Sequence, residues 1–204
     1  MRDDSSPSTR LIYLHGFKSS PESQKALSLI DYVQNELIDL VDQGKLEVLV
    51  PALPYKPEKA IALLEEMILS PARTVLIGSS LGGFYSIYFA EKFNCKAILV
   101  NPLVTLQENL ADSFLGHHTN LYNGEEFDIE ISDAEYLLTL GQENIEQQGK
   151  YLLLLETGDE VLDYKLALEK FPNANQTVIP GGSHRFENFE KYLPNIIEFA
   201  ELMA

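Results

Sequence analysis

The chain has 204 residues, 45% of them hydrophobic, with 15 Lys and Arg against 31 Asp and Glu. That length and apolar content suffice for one well-buried domain and exclude wholesale disorder. The lone Cys95 excludes an intramolecular disulfide scaffold and suits a reducing compartment, while a formal charge of −16 argues against nucleic-acid and anionic-membrane partners.

The charge is uneven. Residues 1–102 carry 10 basic and 12 acidic groups, residues 103–204 carry 5 and 19, and 103–149 hold ten acids with no Lys or Arg. The polar, acidic stretch Met1–Thr9 has no basic lead into an apolar run. No run of about 18 apolar residues suggests a membrane span. The expectation is a soluble, cytoplasmic protein.

In chain order, Leu11–Leu14 is a strand-length apolar run ending at His15-Gly16. Ala26, Leu27, Ile30, Val33, Leu37, Ile38 and Val41 recur at helical steps, with Gly44 closing that helix. Glu47–Val50 reads as a second strand, and Pro57–Leu69 as a helix with proline near its start. Thr74–Ile77 is a third strand, Leu81–Phe93 a helix and Ala97–Val100 a fourth strand. After the irregular stretch 103–149 come a strand at Tyr151–Leu155, a helix at about Val161–Lys170 and a strand at Gln176–Ile179. A final helix is expected over about Phe186–Leu202, disturbed at Pro194. Continuously apolar strands alternating with helices predict an α/β fold: a mostly parallel sheet of about six strands, covered on both faces. One domain, 1–204, is expected, with 103–149 inserted as a cap-like or irregular segment over the carboxyl edge of the sheet.

The sharpest motif is Gly78-Ser79-Ser80-Leu81-Gly82, followed by Gly83. This G-x-S-x-G lies between a predicted strand and a predicted helix, the context of a nucleophile elbow. Ser80 would stand on a tight turn, with Gly78 and Gly82 leaving room for the backbone and Gly83 for close helix–sheet packing. A serine nucleophile needs a base, and the base an orienting acid. His184 follows the last strand and Asp159 the fifth, so both loops fall on the sheet edge that carries Ser80. Asp163 is the alternative acid, expected within the following helix, and Glu160 is expected to point away. His15 reads as a structural residue beside Gly16, and the Phe17 and Leu81 amides as an oxyanion hole. The adjacent His117 and His118 read as a surface pair. No metal-ligating spacing is present, and Asp128, Glu130 and Asp133 do not match a calcium loop.

Together, Leu11–Phe17, Gly78–Gly83, Gly158–Tyr164 and Gly181–His184 resemble the α/β-hydrolase superfamily, and within it the small bacterial YqiA-type esterases. Leu14–Ser20 and Asn101-Pro102 strengthen the resemblance, which runs from Leu11 to the C-terminus. It implies a reduced sheet beginning at the His-Gly strand, and hydrolysis of carboxylic esters or thioesters through an acyl-serine. The alternatives are an acyl-CoA thioesterase or peptidase on the same triad, or a non-catalytic binding protein of that fold. The expected partner is a small-molecule ester or thioester, with no cofactor, and nothing in the pattern fixes an oligomeric state.

Leu103, Val104, Leu106, Leu110, Phe114 and Leu115 are set either to line an acyl pocket with Phe17, Leu81 and Tyr85 or merely to cover the sheet. If near the entrance, the acids of 103–149 would disfavour anionic leaving groups. Lys18 and Arg185 are the local exceptions, set to meet a phosphate or carboxylate or to pair with those acids.

Overall fold

Six strands pair side by side, every pairing parallel: β1 (Thr9–Leu14), β2 (Leu46–Leu49), β3 (Arg73–Ser80), β4 (Lys96–Pro102), β7 (Tyr151–Glu156) and β8 (Asn175–Ile179). Their order is β2-β1-β3-β4-β7-β8. This computed structural model describes residues 9–106 and 114–202.

The period-2 alternation of each strand divides its side chains between two cores. Ile12, Leu14, Leu76, Leu99, Leu153 and Leu155 face a core completed by α3 (Pro57–Ile68) and α4 (Leu81–Phe93). Leu11, Tyr13, Val75, Ile77, Ile98 and Val100 face the other, completed by α1 (Gln24–Glu36) and α7 (Leu193–Phe199). The result is the expected three-layer α/β/α arrangement. Among the described residues, no helix is long and apolar enough to cross a membrane.

Several element boundaries depart from expectation. The helical face expected from Ala26 to Val41 breaks at Leu37, where φ is −126°, and a short α2 (Ile38–Asp42) follows. Gly44, at φ +66°, turns the chain after α2. The last helix is shorter than expected: a 3₁₀ turn, Phe189–Tyr192, precedes α7. Pro194 starts α7 instead of disturbing it, because a proline in the first turn removes no intrahelical hydrogen bond. The helix expected from Val161 begins only at Tyr164 (α6, Tyr164–Lys170). Asp163 is its N-cap, not an interior residue, and its carboxylate accepts from Lys165 N–H at 3.0 Å.

Between β4 and β7 the chain forms an antiparallel hairpin, β5 (Gly116–Thr119) and β6 (Glu126–Ile129), and then α5 (Ile131–Thr139). Lys56 bridges Asp133 at 2.7 Å and Glu130 at 3.2 Å, tying the start of α5 to the start of α3. Leu103 and Val104 are buried in the core beside α4, with Leu106 and Phe114 packed against it; Leu110 lies outside the described residues.

Leu99, fully buried in the central strand β4, should be among the costliest truncations. Leu99→Ala is expected to lower stability by about 3 kcal/mol in urea unfolding; a loss below about 1 kcal/mol would contradict the packing described.

Candidate active site

Ser80 ends β3 and caps α4 with φ +55° and ψ −121°, a conformation that costs a non-glycine residue on the order of 1–3 kcal/mol. Its surroundings leave the backbone little alternative. A side chain at Gly78 would strike the Gly82 carbonyl and the Ser86 hydroxyl, and one at Gly82 would strike the carbonyls of Leu14 and His15. A Cβ at Gly83 would come within 2.6 Å of Pro102 Cβ. The β3–β4 register shifts at Ser79/Ser80, and Leu103 N–H donates to the Ser80 carbonyl at 3.0 Å.

The carboxyl ends of β7 and β8 bring the partners. Gly158 N–H donates to the Gly181 carbonyl at 2.7 Å, and a Cβ at Gly158 would meet the Gly182 carbonyl at 2.5 Å. The two loops therefore pack backbone on backbone. His184 Nε2 lies 3.0 Å from Ser80 Oγ, and its Nδ1 lies 2.8 and 3.0 Å from the two Asp159 oxygens. The Asp159 side chain is only 2% exposed against 21% for His184. Its carboxylate also accepts from Val161 N–H at 2.9 Å and Leu162 N–H at 2.8 Å, which fixes its plane. Asp163 turns to its own helix and is not joined to His184 by a hydrogen bond. Glu160 does not point away as expected: it accepts from His184 N–H at 3.0 Å, an arrangement that lowers its pKa.

The end of β1 supplies the facing wall. A Cβ at Gly16 would stand 3.1 Å from Ser80 Cβ, tight enough that a side chain there would push this loop away from Ser80 by a few tenths of an ångström. The Phe17 ring packs edge-on against Phe114 and His118, each at 4.9 Å, and against Phe127 at 5.7 Å. The adjacent histidines sit on strand β5 and point to different surroundings. His117 lies 3.1 Å from Asp128, whereas the half-buried His118 lies 2.7 Å from the Phe114 carbonyl. His118 is thus not the surface residue expected. Among the described residues no cluster of three or more His, Cys, Asp or Glu is set to hold a metal.

Buried His15 receives Leu53 N–H on Nε2 at 3.2 Å, while Nδ1 faces the Gly16 carbonyl at 3.0 Å. Both contacts are satisfied only by the neutral ring with its proton on Nδ1. Burial lowers its pKa, outweighing the Gly16 contact and the charge of Glu22.

Sequence reasoning noted Asn101 without giving it a role and passed over two further supports, Glu156 and Asn120. Asn101, buried at φ +38°, donates to the Ser183 carbonyl and accepts from Glu156 N–H, both at 2.9 Å. The buried Glu156 carboxylate accepts from Ser183 N–H at 2.8 Å and fills the space beside Gly182. Asn120 donates to the Ser19 carbonyl at 2.9 Å and, with the Leu121 N–H to Lys18 carbonyl bond at 3.1 Å, fastens the hairpin tip to the β1 loop. A usable signal was present for Asn101 and Glu156, since each stands where an apolar strand meets the functional edge.

A parallel sheet with this elbow and these strand-end loops defines the α/β-hydrolase fold. The chain belongs to the family described as Uncharacterised protein family (UPF0227), whose model matches residues 10–201. Among solved structures it is similar to alpha/beta hydrolase domain-containing protein 10 from mouse. That match has a TM-score of 0.68 at 16% identity and covers 96% of this chain and 90% of the other. It is also similar to Est1E from Butyrivibrio proteoclasticus with ferulic acid bound: TM-score 0.64, 15% identity, 98% and 90% covered. A third similar structure is an esterase domain from a Rhodothermus marinus protein: TM-score 0.63, 16% identity, 98% and 89% covered.

The lowered pKa of His15 has a definite sign in stability. Between the ordinary value near 6.5 and the lowered folded value, the unfolded chain binds more protons, so stability is lost as pH falls through that window. Urea midpoints measured at about pH 7.5 and 5 should fall further for the native protein than for His15→Gln. Equal falls would refute the neutral, Nε2-accepting ring.

Proposed function

We propose that the protein is a serine hydrolase of carboxylic esters, acting through Ser80, His184 and Asp159. The observation that carries this reading is the continuous hydrogen-bonded line from the Ser80 hydroxyl through both ring nitrogens of His184 to Asp159. With Nδ1–H donated to Asp159, Nε2 is the free base and accepts the Ser80 proton. Oγ attacks the ester carbonyl, and the alkoxide leaves with the proton carried by His184. Water then attacks the acyl-serine, giving its hydroxyl to the acyl carbon and a proton back to Oγ through His184. The balance needs no co-reactant beyond water and no cofactor.

The developing oxyanion falls to the amides of Phe17 and Leu81. Leu81 is the first residue of the 13-residue α4, so its N–H has no partner within the helix and lies at the positive end of the helix dipole. Such preorganised donors are worth about 3 kcal/mol each in the transition state. The closeness of Gly16 to Ser80, where an added Cβ would stand 3.1 Å from the Ser80 Cβ, supports Phe17 as the second donor, its loop clasped by Asn120.

A fluorophosphonate probe should label the native protein and leave Ser80→Ala unlabelled; labelling that survives the substitution would overturn the assignment. Asp159→Asn should lower kcat on a 4-nitrophenyl ester by about 10³-fold or more, because the histidine loses its tautomer. Asp163→Asn should change it by no more than about twofold, and an equal loss in the two variants would remove Asp159 from the triad.

A further inference from the structure

Ser80 and His184 line a cavity of about 470 Å³, and so do three cations: Lys18, Lys25 and Arg185. In a chain of net charge −16 this is an unexpected lining. Among the described residues, no ion pair joins any of the three to a carboxylate. The Lys18 ammonium lies 5.8 Å from the ring of Phe17, and Lys25 Nζ donates to the Arg185 carbonyl at 2.6 Å.

Carboxylates do stand near, but they already serve N–H donors. Glu156 accepts from Ser183 N–H, Glu160 from His184 N–H, and Asp159 from Val161 and Leu162 while facing the His184 ring. The acids of the hairpin do not supply the missing partners. Glu125 and Asp128 line a separate cavity of about 540 Å³ together with His15, Tyr55 and Lys56. Among the described residues of 103–149, only Leu121 and Tyr122 line the cavity over Ser80. None of the described acids of 103–149 lines it, and Glu108 and Asp112 lie outside the described residues.

Lys25 carries the strain of this arrangement. Burial pushes its pKa down to about 8, and the Arg185 charge adds to that effect against the opposing fields of Glu156 and Asp159. An anion between Lys25 and Arg185 would relieve it. The lining also presents three exposed large hydrophobic side chains, Leu121, Tyr122 and Val161, beside the polar Ser19 and Gln24 and the carboxylate of Glu160, which is held by His184 N–H.

We propose that this cavity takes esters that carry an oxyacid group, carboxylate or phosphate, bound by Lys25 and Arg185 with Lys18. The apolar body of the substrate lies against Leu121, Tyr122 and Val161. The inference rests on the serine-hydrolase reading and assigns its substrate class.

Two matched pairs test it by kcat/KM at low salt. One is 4-nitrophenyl hydrogen adipate against 4-nitrophenyl hexanoate, which places a carboxylate on the acyl side. The other is butyryl-CoA against butyryl-N-acetylcysteamine, which places phosphates on the leaving group. At least one anionic member should exceed its neutral match by about tenfold, the scale of one charge-assisted hydrogen bond. That ratio should shrink toward one in the Lys25→Gln/Arg185→Gln double variant, and in the native protein at about 0.5 M salt. The pair that responds identifies which anion is read. Because each ratio is taken on one preparation, partial misfolding of the variant cancels. A ratio of one or less for both pairs in the native protein, or a ratio unmoved by the double substitution, overturns the proposal. Ser80-dependent turnover of the neutral ester in the same assay upholds the hydrolase reading, so a missing ratio beside it counts against the anion site alone.

Discussion

The backbone of Ser80 is the constraint on which the rest depends. A residue at φ +55° with a side chain will relax unless its neighbours forbid it, and here they do so from three directions. Gly82 lies against the carbonyls that end β1, Gly83 against Pro102 at the end of β4, and Gly78 against the first turn of α4. Each approach needs a missing side chain, and each also fixes the spacing of β1, β3 and β4. The strain at one residue and the packing of the central sheet are therefore one arrangement. Stability drawn from the two cores sustains a conformation that local propensity opposes.

Much of this was legible in the chain. Short apolar runs marked the sheet strands: continuous in β1, β4 and β7, which are buried on both faces, and broken by Glu47 in β2, Thr74 in β3 and Gln176 and Thr177 in the more exposed β8. The G-x-S-x-G spacing and the order Ser80, Asp159, His184 placed three groups at strand ends that the structure brings within hydrogen-bond distance. What escaped had specific causes. Glu156 follows five apolar residues and reads as the point where a strand meets water, yet it is buried against Gly182. Lys25 reads as the solvent face of an amphipathic helix, but its helix begins against the His184 loop. The hairpin escaped because β5 carries two histidines and no apolar alternation. The split of α1 from α2 escaped because helical periodicity continues across Leu37 while the backbone does not.

Asn101 and Glu156 divide one task. Asn101 bonds both the end of β7 and the β8 loop, and Glu156 bonds the same loop from the other side. The His184 loop is thereby held by two buried side chains, Asn101 and Glu156. The same economy explains the electrostatics. The carboxylates at this edge orient main-chain and imidazole N–H groups, and among the described residues none forms an ion pair with Lys18, Lys25 or Arg185.

The connection between β4 and β7 bears on how the chain assembles. Ala97–Val100 of β4 pair with Tyr151–Leu154, roughly fifty residues later, whereas β3 lies just upstream. During synthesis, the outer edge of β4 emerges paired on one side only, a fully apolar edge open to association with other chains. The hairpin and α5 must be made before β7 can close it. The intervening residues 103–150 carry ten acidic side chains and one basic, Lys150, so the chain is most repulsive toward its own copies during the interval when its sheet is most adhesive.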